Sequence, residues 1–153
     1  MTQTIQMDTA VFYPSFLAAM WEGSVNAQSK FALMLLHLAH YDSAHSNVSD
    51  VRQWEVEGTG YTAGGYQLGR IKGVPSERGL GWHWPAVKWV NATFKATRWV
   101  VYEVSTGDLM LMVNMGIGFS VKNGTIEFND PSPLPGMYID TATSKAAVIR
   151  PRI

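Results

Sequence analysis

Phe31-Ala-Leu-Met-Leu-Leu-His-Leu-Ala39 decides how the chain is read. Nine consecutive residues, apolar but for His37, fit a strand buried on both faces or a buried helix, and periodicity alone does not separate the two. Local propensity favours helix. The context favours strand, because a loop-like stretch rich in Ser, Asn, Asp and His follows from Tyr41 to Asp50, and everything beyond it has β character. The run is read as a core strand.

Downstream, turn signals recur at the short intervals of an all-β sandwich. Gln53-Trp-Glu-Val-Glu57 alternates, Gly58-Thr-Gly60 and Gly64-Gly65 break the pattern, and Tyr66-Gln-Leu-Gly-Arg-Ile71 alternates again. Val74 to Gly81, with Pro75 and two glycines, reads as a loop. Val87–Val90 and Thr93–Val104 read as two strands parted by Asn91-Ala92, and Thr106-Gly107-Asp108 as a hairpin turn leading into Leu109–Val113. Phe119–Val121 and Thr125–Phe128 flank Lys122-Asn-Gly124, which predicts a second hairpin of the Asn-Gly type. Asp130–Pro135 is a proline-rich connector and Met137–Ile139 a last short strand.

Upstream, Val11, Phe12, Phe16, Leu17, Met20 and Trp21 recur at helical spacing, interrupted early by Pro14 and stopped by Gly23 and Asn26. The expected fold is therefore all-β, an antiparallel β-sandwich over residues 29–140. It is preceded by an N-terminal arm with a short helix (1–28) and followed by a C-terminal arm (141–153).

Composition narrows the function classes. Charged residues make up 16% of the 153, against about 25% in an ordinary soluble domain. Twelve basic residues balance twelve acidic ones, and a net charge near zero favours self-association. Cysteine is absent, which excludes disulfides and thiolate metal sites. The basic residues are scattered, the only cluster being Arg150 and Arg152 around Pro151, so nucleic acid is not expected as a partner. No apolar run approaches the ~20 residues of a membrane span. Met1–Asp8 carries no basic stretch and does not read as a secretory signal.

Chemistry-bearing constellations are weak. The cluster Gly58-Thr-Gly60-Tyr-Thr-Ala-Gly64-Gly65 lacks the Lys-Ser/Thr of a P-loop and lies between strand-like segments, so a bend with close backbone approach is the better reading. His37, His40, Asp42 and His45 have metal-like proximity, yet residues three apart on a strand point to opposite faces. Ser, His and Asp between residues 42 and 50 match no nucleophile elbow. Glu55 and Glu57 look like one face of an exposed strand. No catalytic residue, metal or cofactor is expected. The most distinctive feature is Trp82-His83-Trp84, with Trp89 and Trp99 nearby. Such aromatics serve as sandwich core, as interface anchors or as stacking platforms for sugars.

From Phe31 to Ile139 the chain resembles a family of small structural proteins of tailed bacteriophages. The matching residues are Asp50-Val51, Glu55-Val-Glu-Gly-Thr-Gly-Tyr-Thr-Ala-Gly-Gly65, Trp89-Val-Asn-Ala-Thr-Phe-Lys-Ala-Thr-Arg98, Val100-Val-Tyr102 and Asn123-Gly-Thr-Ile126. Gly73 to Trp84 departs from the family pattern, whose members carry a shorter linker there. The resemblance implies a place in the virion, decorating the head or associated with the tail. Together with the low charge and the missing catalytic groups, the first expectation is a non-enzymatic head cement or decoration protein that binds the major capsid protein and itself, as a trimer or dimer. Interaction residues are then expected at Trp82, Trp84 and Tyr66 in the domain and at Trp21, Arg150 and Arg152 in the arms. The alternative is a tail or fibre component that stacks host glycans on Trp82, Trp84 and Tyr66. A small hydrolase or metal-dependent enzyme would rest on the His37–His45 cluster alone.

Overall fold

The computed structural model describes residues 10–76, 79–128 and 137–140. In chain order the elements are β1 (Ala10–Phe12), α1 (Pro14–Glu22), β2 (Lys30–Leu36), β3 (Tyr66–Arg70), β4 (Lys72–Ser76), β5 (Gly79–Trp84), β6 (Val87–Glu103), β7 (Leu109–Phe128) and β8 (Met137–Asp140). A five-stranded sheet has the order β1-β7-β6-β2-β3, and a three-stranded sheet the order β4-β5-β8. Every pairing is antiparallel.

The apolar run at residue 31 is a strand, and its lack of alternation has a physical cause. Phe31, Leu33 and Leu35 point into one hydrophobic cluster, while Ala32, Met34 and Leu36 point into another on the opposite face of the same sheet. A strand covered on both sides needs apolar residues at every position. The first cluster lies between the two sheets. The second is roofed by the loop after β2, through Val48, Val51 and the half-buried Trp54.

Trp82 and Trp84, two apart on β5, both face the large sheet. Trp82 packs 5.4 Å from Phe12 and 5.9 Å from Phe16, ring centre to ring centre, and Trp84 lies 6.3 Å from Trp99 at 89°. The expected loop from Val74 to Gly81 is instead the hairpin β4–β5, in register from Lys72–His83 to Ser76–Gly79. β8 pairs with the other edge of β5.

β6 and β7 form one long hairpin where five shorter strands were expected. Asn91 and Asn123 adopt positive φ (49° and 48°) and act as bulges inside continuous strands, so neither Asn91-Ala92 nor Lys122-Asn-Gly124 ends its strand. The Asn-Gly hairpin does not form because both of its arms have better partners on β6. Val121 pairs with Phe94 and Ile126 with Trp89, each buried, and a local turn would strip those contacts away. The Thr106-Gly107-Asp108 turn is present. Buried Glu103 holds it, accepting from the Thr106 N–H (2.7 Å), the Thr106 hydroxyl (2.7 Å) and the Ser105 hydroxyl (2.8 Å).

Residues 10–28 are not a free arm. β1 extends the sheet beside β7, and α1 buries Phe16 and Ala19. Pro14 does not interrupt this helix; it occupies the first turn, where its missing N–H costs nothing, and Gly23 closes the far end. Gln53–Glu57, expected as an alternating strand, instead begins inside a short 3-10 turn, Arg52–Trp54, which follows another at Val48–Asp50 and leads into a bridge from Glu55 to Leu36. Asn47 and Asp50 cap the first turn reciprocally. The C-terminal arm, with Arg150 and Arg152, lies outside the described residues.

Candidate functional site

The glycine-rich segment crosses the end of the large sheet and is fastened by side-chain hydrogen bonds. Glu55 Oε2 accepts from the Tyr61 hydroxyl (2.9 Å) and from the Gly64 N–H (2.6 Å). Tyr102 donates its hydroxyl proton to the Gly64 carbonyl (2.5 Å), and the Leu35 N–H reaches the Tyr61 oxygen (3.2 Å). Gly65 has φ +92° and lies so close to Leu33 that a Cβ would run into the Leu33 carbonyl. Burial, followed by the Glu55 carboxylate, holds the Tyr61 hydroxyl far above the usual phenol range. The N–H groups of Gly64 and Gly65 are satisfied by Glu55 and by the Thr62 carbonyl. Neither is offered to a phosphate, and the segment packs closely against β2 and β6.

Beside this bend lies a cleft of about 630 Å³, lined by His37, Gln53, Glu57, Lys95, Ser120 and Lys122 among others. Glu55 also lines it, but its acceptor oxygen is committed to the bend.

The histidine cluster divides. His37 faces the cleft, whereas His40 and His45 pack around Trp54, with ring centres 4.8 Å and 6.2 Å from it. His45 Nε2 is 3.9 Å from Asp42 Oδ2. Among the described residues no group of three or more His, Cys, Asp or Glu is placed to hold a metal ion.

The expected interaction residues do not come together on the surface. Trp82 is 6% exposed and Trp84 0%, so both are core, and neither face is open to a sugar or a partner. Tyr66 is half-buried, its ring edge-on to Trp89 at 5.8 Å. Among those of them that are described, Trp21 is the one open to solvent. It is 92% exposed, and Leu17, one helical turn earlier, is 47% exposed. The outer face of α1 is thus apolar while its inner face is locked into the core.

Two further exposed aliphatics escaped the sequence reading. Ile117 is 99% exposed and Leu38 74%. Ile117 stands in a bulge of β7, since Ala96 pairs with Phe119 and Arg98 with Asn114, leaving Met115–Gly118 opposite Thr97 alone. The Leu38 N–H donates to the Thr97 hydroxyl (2.8 Å), so both side chains are displayed near one point of β6. The sequence signal, overlooked, is an isoleucine set between two glycines inside a strand pattern.

Compared with known proteins, the chain matches no family model, no curated protein and no solved structure. The phage resemblance accordingly rests on the sequence motif.

Proposed function

We propose that the protein is a virion structural protein of a tailed bacteriophage, and that it decorates the head by binding the major capsid protein. The observation that carries this reading is Trp21, a tryptophan 92% exposed on a helix that the core holds rigidly. Large aromatics of this kind dominate protein interfaces, where burying one in a partner's pocket supplies much of the binding energy. Leu17 beside it extends the apolar surface, and the low charge of the chain lowers the desolvation cost of covering that face.

The motif that carries the resemblance supports the same class of function. Glu55, Tyr61, Gly64, Gly65 and Tyr102 all serve the packing of the fold, as befits a family defined by a scaffold. The glycan-stacking alternative loses two of its three residues, because Trp82 and Trp84 are enclosed between the sheets.

The test is addition of purified protein to capsids that lack it, with bound copies counted against the major capsid protein by quantitative mass spectrometry. Hundreds of copies, falling at least tenfold with Trp21→Ala, are expected. A few copies per particle, or occupancy indifferent to Trp21→Ala, would overturn the reading.

A further inference from the structure

The loop after β2 roofs the outer face of the large sheet over Val100 and Met112, and the cleft of about 630 Å³ opens farther along β6. Clefts of ~300–1,000 Å³ are the size that holds small ligands. The charges around this one are sorted by sign.

Its floor is basic. Phe94, Ala96 and Val121 are buried in the core, so Lys95, Ser120 and Lys122, which alternate with them, project from the opposite face. Lys95 lies directly across from Ser120, which makes Lys122 its diagonal neighbour at about 7–8 Å. The wall is acidic, with Glu55 and Glu57 following the turn Arg52–Trp54. Among the described residues neither lysine pairs with either carboxylate. Opposite charges thus face one another across the cleft without closing it. Like charges on neighbouring strands are destabilising, and an anionic group set between the two lysines relieves that.

Uncharged hydrogen-bonding groups complete the lining. Ser120 and Gln53 are exposed. His37 Nδ1 is enclosed and has no partner among the described residues. A buried N–H without an acceptor is rarer in proteins than a buried acceptor without a donor, so the ring carries its proton on Nε2, the nitrogen left to meet a ligand.

A simple anion in the cleft meets the carboxylates of the wall, and a simple cation meets the lysines of the floor; each contact between like charges opposes binding. The complementary ligand carries both charges, held apart, with polar groups between them. A short peptide with free ends has this form, since an extended residue spans ~3.3–3.6 Å and the ends of a tripeptide lie roughly 10 Å apart. We propose that the cleft binds a short peptide zwitterion, its α-ammonium against Glu57 and its α-carboxylate between Lys95 and Lys122. Ser120, Gln53 and His37 Nε2 meet the peptide groups between the ends. The site does not involve Trp21, so it and the head-decorating role stand or fall separately.

The test is titration of the full chain with trialanine, N-acetyl-trialanine and trialanine amide, followed by heteronuclear NMR. Trialanine is expected to bind saturably and to shift the amide signals of Lys95, Ser120 and Lys122. Blocking either end is expected to weaken binding about tenfold or more, the measure of one charge-assisted contact. The penalty for acetylation is expected to vanish in Glu57→Gln, and that for amidation in the double variant Lys95→Gln, Lys122→Gln. All three side chains are exposed, and circular dichroism checks that the variants fold as wild type does. Trialanine that does not bind overturns the inference. So do capped peptides that bind as tightly as the free one, which would make the cleft a seat for an internal segment of a protein, and penalties that persist unchanged in the variants.

Discussion

The hydroxyl of Tyr102 donates to the carbonyl of Gly64 across 38 residues of sequence, and the next residue, Gly65, rests on the backbone of Leu33. A central strand and the glycine-rich bend are thereby fixed to one another. Gly65→Ala meets both a positive φ and a backbone collision, so it should cost on the order of 3 kcal/mol or more. Tyr102→Phe removes one hydrogen bond and should cost about 1 kcal/mol. Urea denaturation of the two variants gives the order; Gly65→Ala at or below the cost of Tyr102→Phe contradicts the close-packed account of the bend.

Tryptophans two residues apart in the core and one on the surface should separate cleanly. Trp84→Ala empties the space between the sheets and should cost about 3–5 kcal/mol. Trp21→Ala, exposed on α1, should stay within about 0.5 kcal/mol of wild type. The same urea curves decide it, and a Trp21→Ala variant as unstable as Trp84→Ala would mean that α1 is packed differently.

How much of this was legible beforehand depended on what each residue touches. The strand at Phe31 was readable from its β-rich context and not from itself, because burial on both faces gives the same unbroken apolar run that a buried helix would. The hairpin β4–β5 was not, because Pro75 and its neighbouring glycines imitate a loop and mask the alternation that ends in Trp82-His83-Trp84. Asn123-Gly124 was misread because a turn propensity worth little locally is overridden by the burial of Val121 and Ile126 against β6. At the candidate site, residue type identifies aromatics but not the side of the sheet they occupy. Trp82 and Trp84 went inside, Trp21 stayed outside, and only pairing partners distinguish them.

The Tyr13 hydroxyl is buried beside the Tyr41 ring, 5.0 Å away between centres, and has no hydrogen-bond partner among the described residues. Burial, then the neighbouring Tyr41, pushes its ionisation far above the usual phenol range, so it stays neutral in the folded protein. An unsatisfied buried hydroxyl costs about 1–3 kcal/mol. Tyr13→Phe should therefore raise the melting temperature by a few degrees; a lowered one would mean that the hydroxyl is satisfied in solution.

Acid should loosen the fold through two carboxylates. Burial pushes the Glu103 carboxyl up, but the hydrogen bonds from Thr106 and Ser105 together outweigh it and hold it below the usual range. The N–H groups of Ser46 and Asn47 do the same for Asp50. Both folded values are depressed, so their stabilisation is present above the unfolded values near pH 4 and is lost as the pH falls through the folded ones. Melting temperatures from about pH 7 to about pH 3 should fall steeply below about pH 4. Glu103→Gln should begin lower and fall less; a slope equal to that of wild type would remove Glu103 from the account.

Strand β5 finds β4 at once but receives β8 only from residues 137–140. During synthesis on the ribosome, the edge of the strand that bears Trp82 and Trp84 therefore stays unpaired while all of β6 and β7 is made. An unpaired edge is a template for a neighbouring nascent chain. Products cut short before Met137 keep that edge permanently, and they are the ones a host cell should lose to aggregation, whatever the stability of the finished protein.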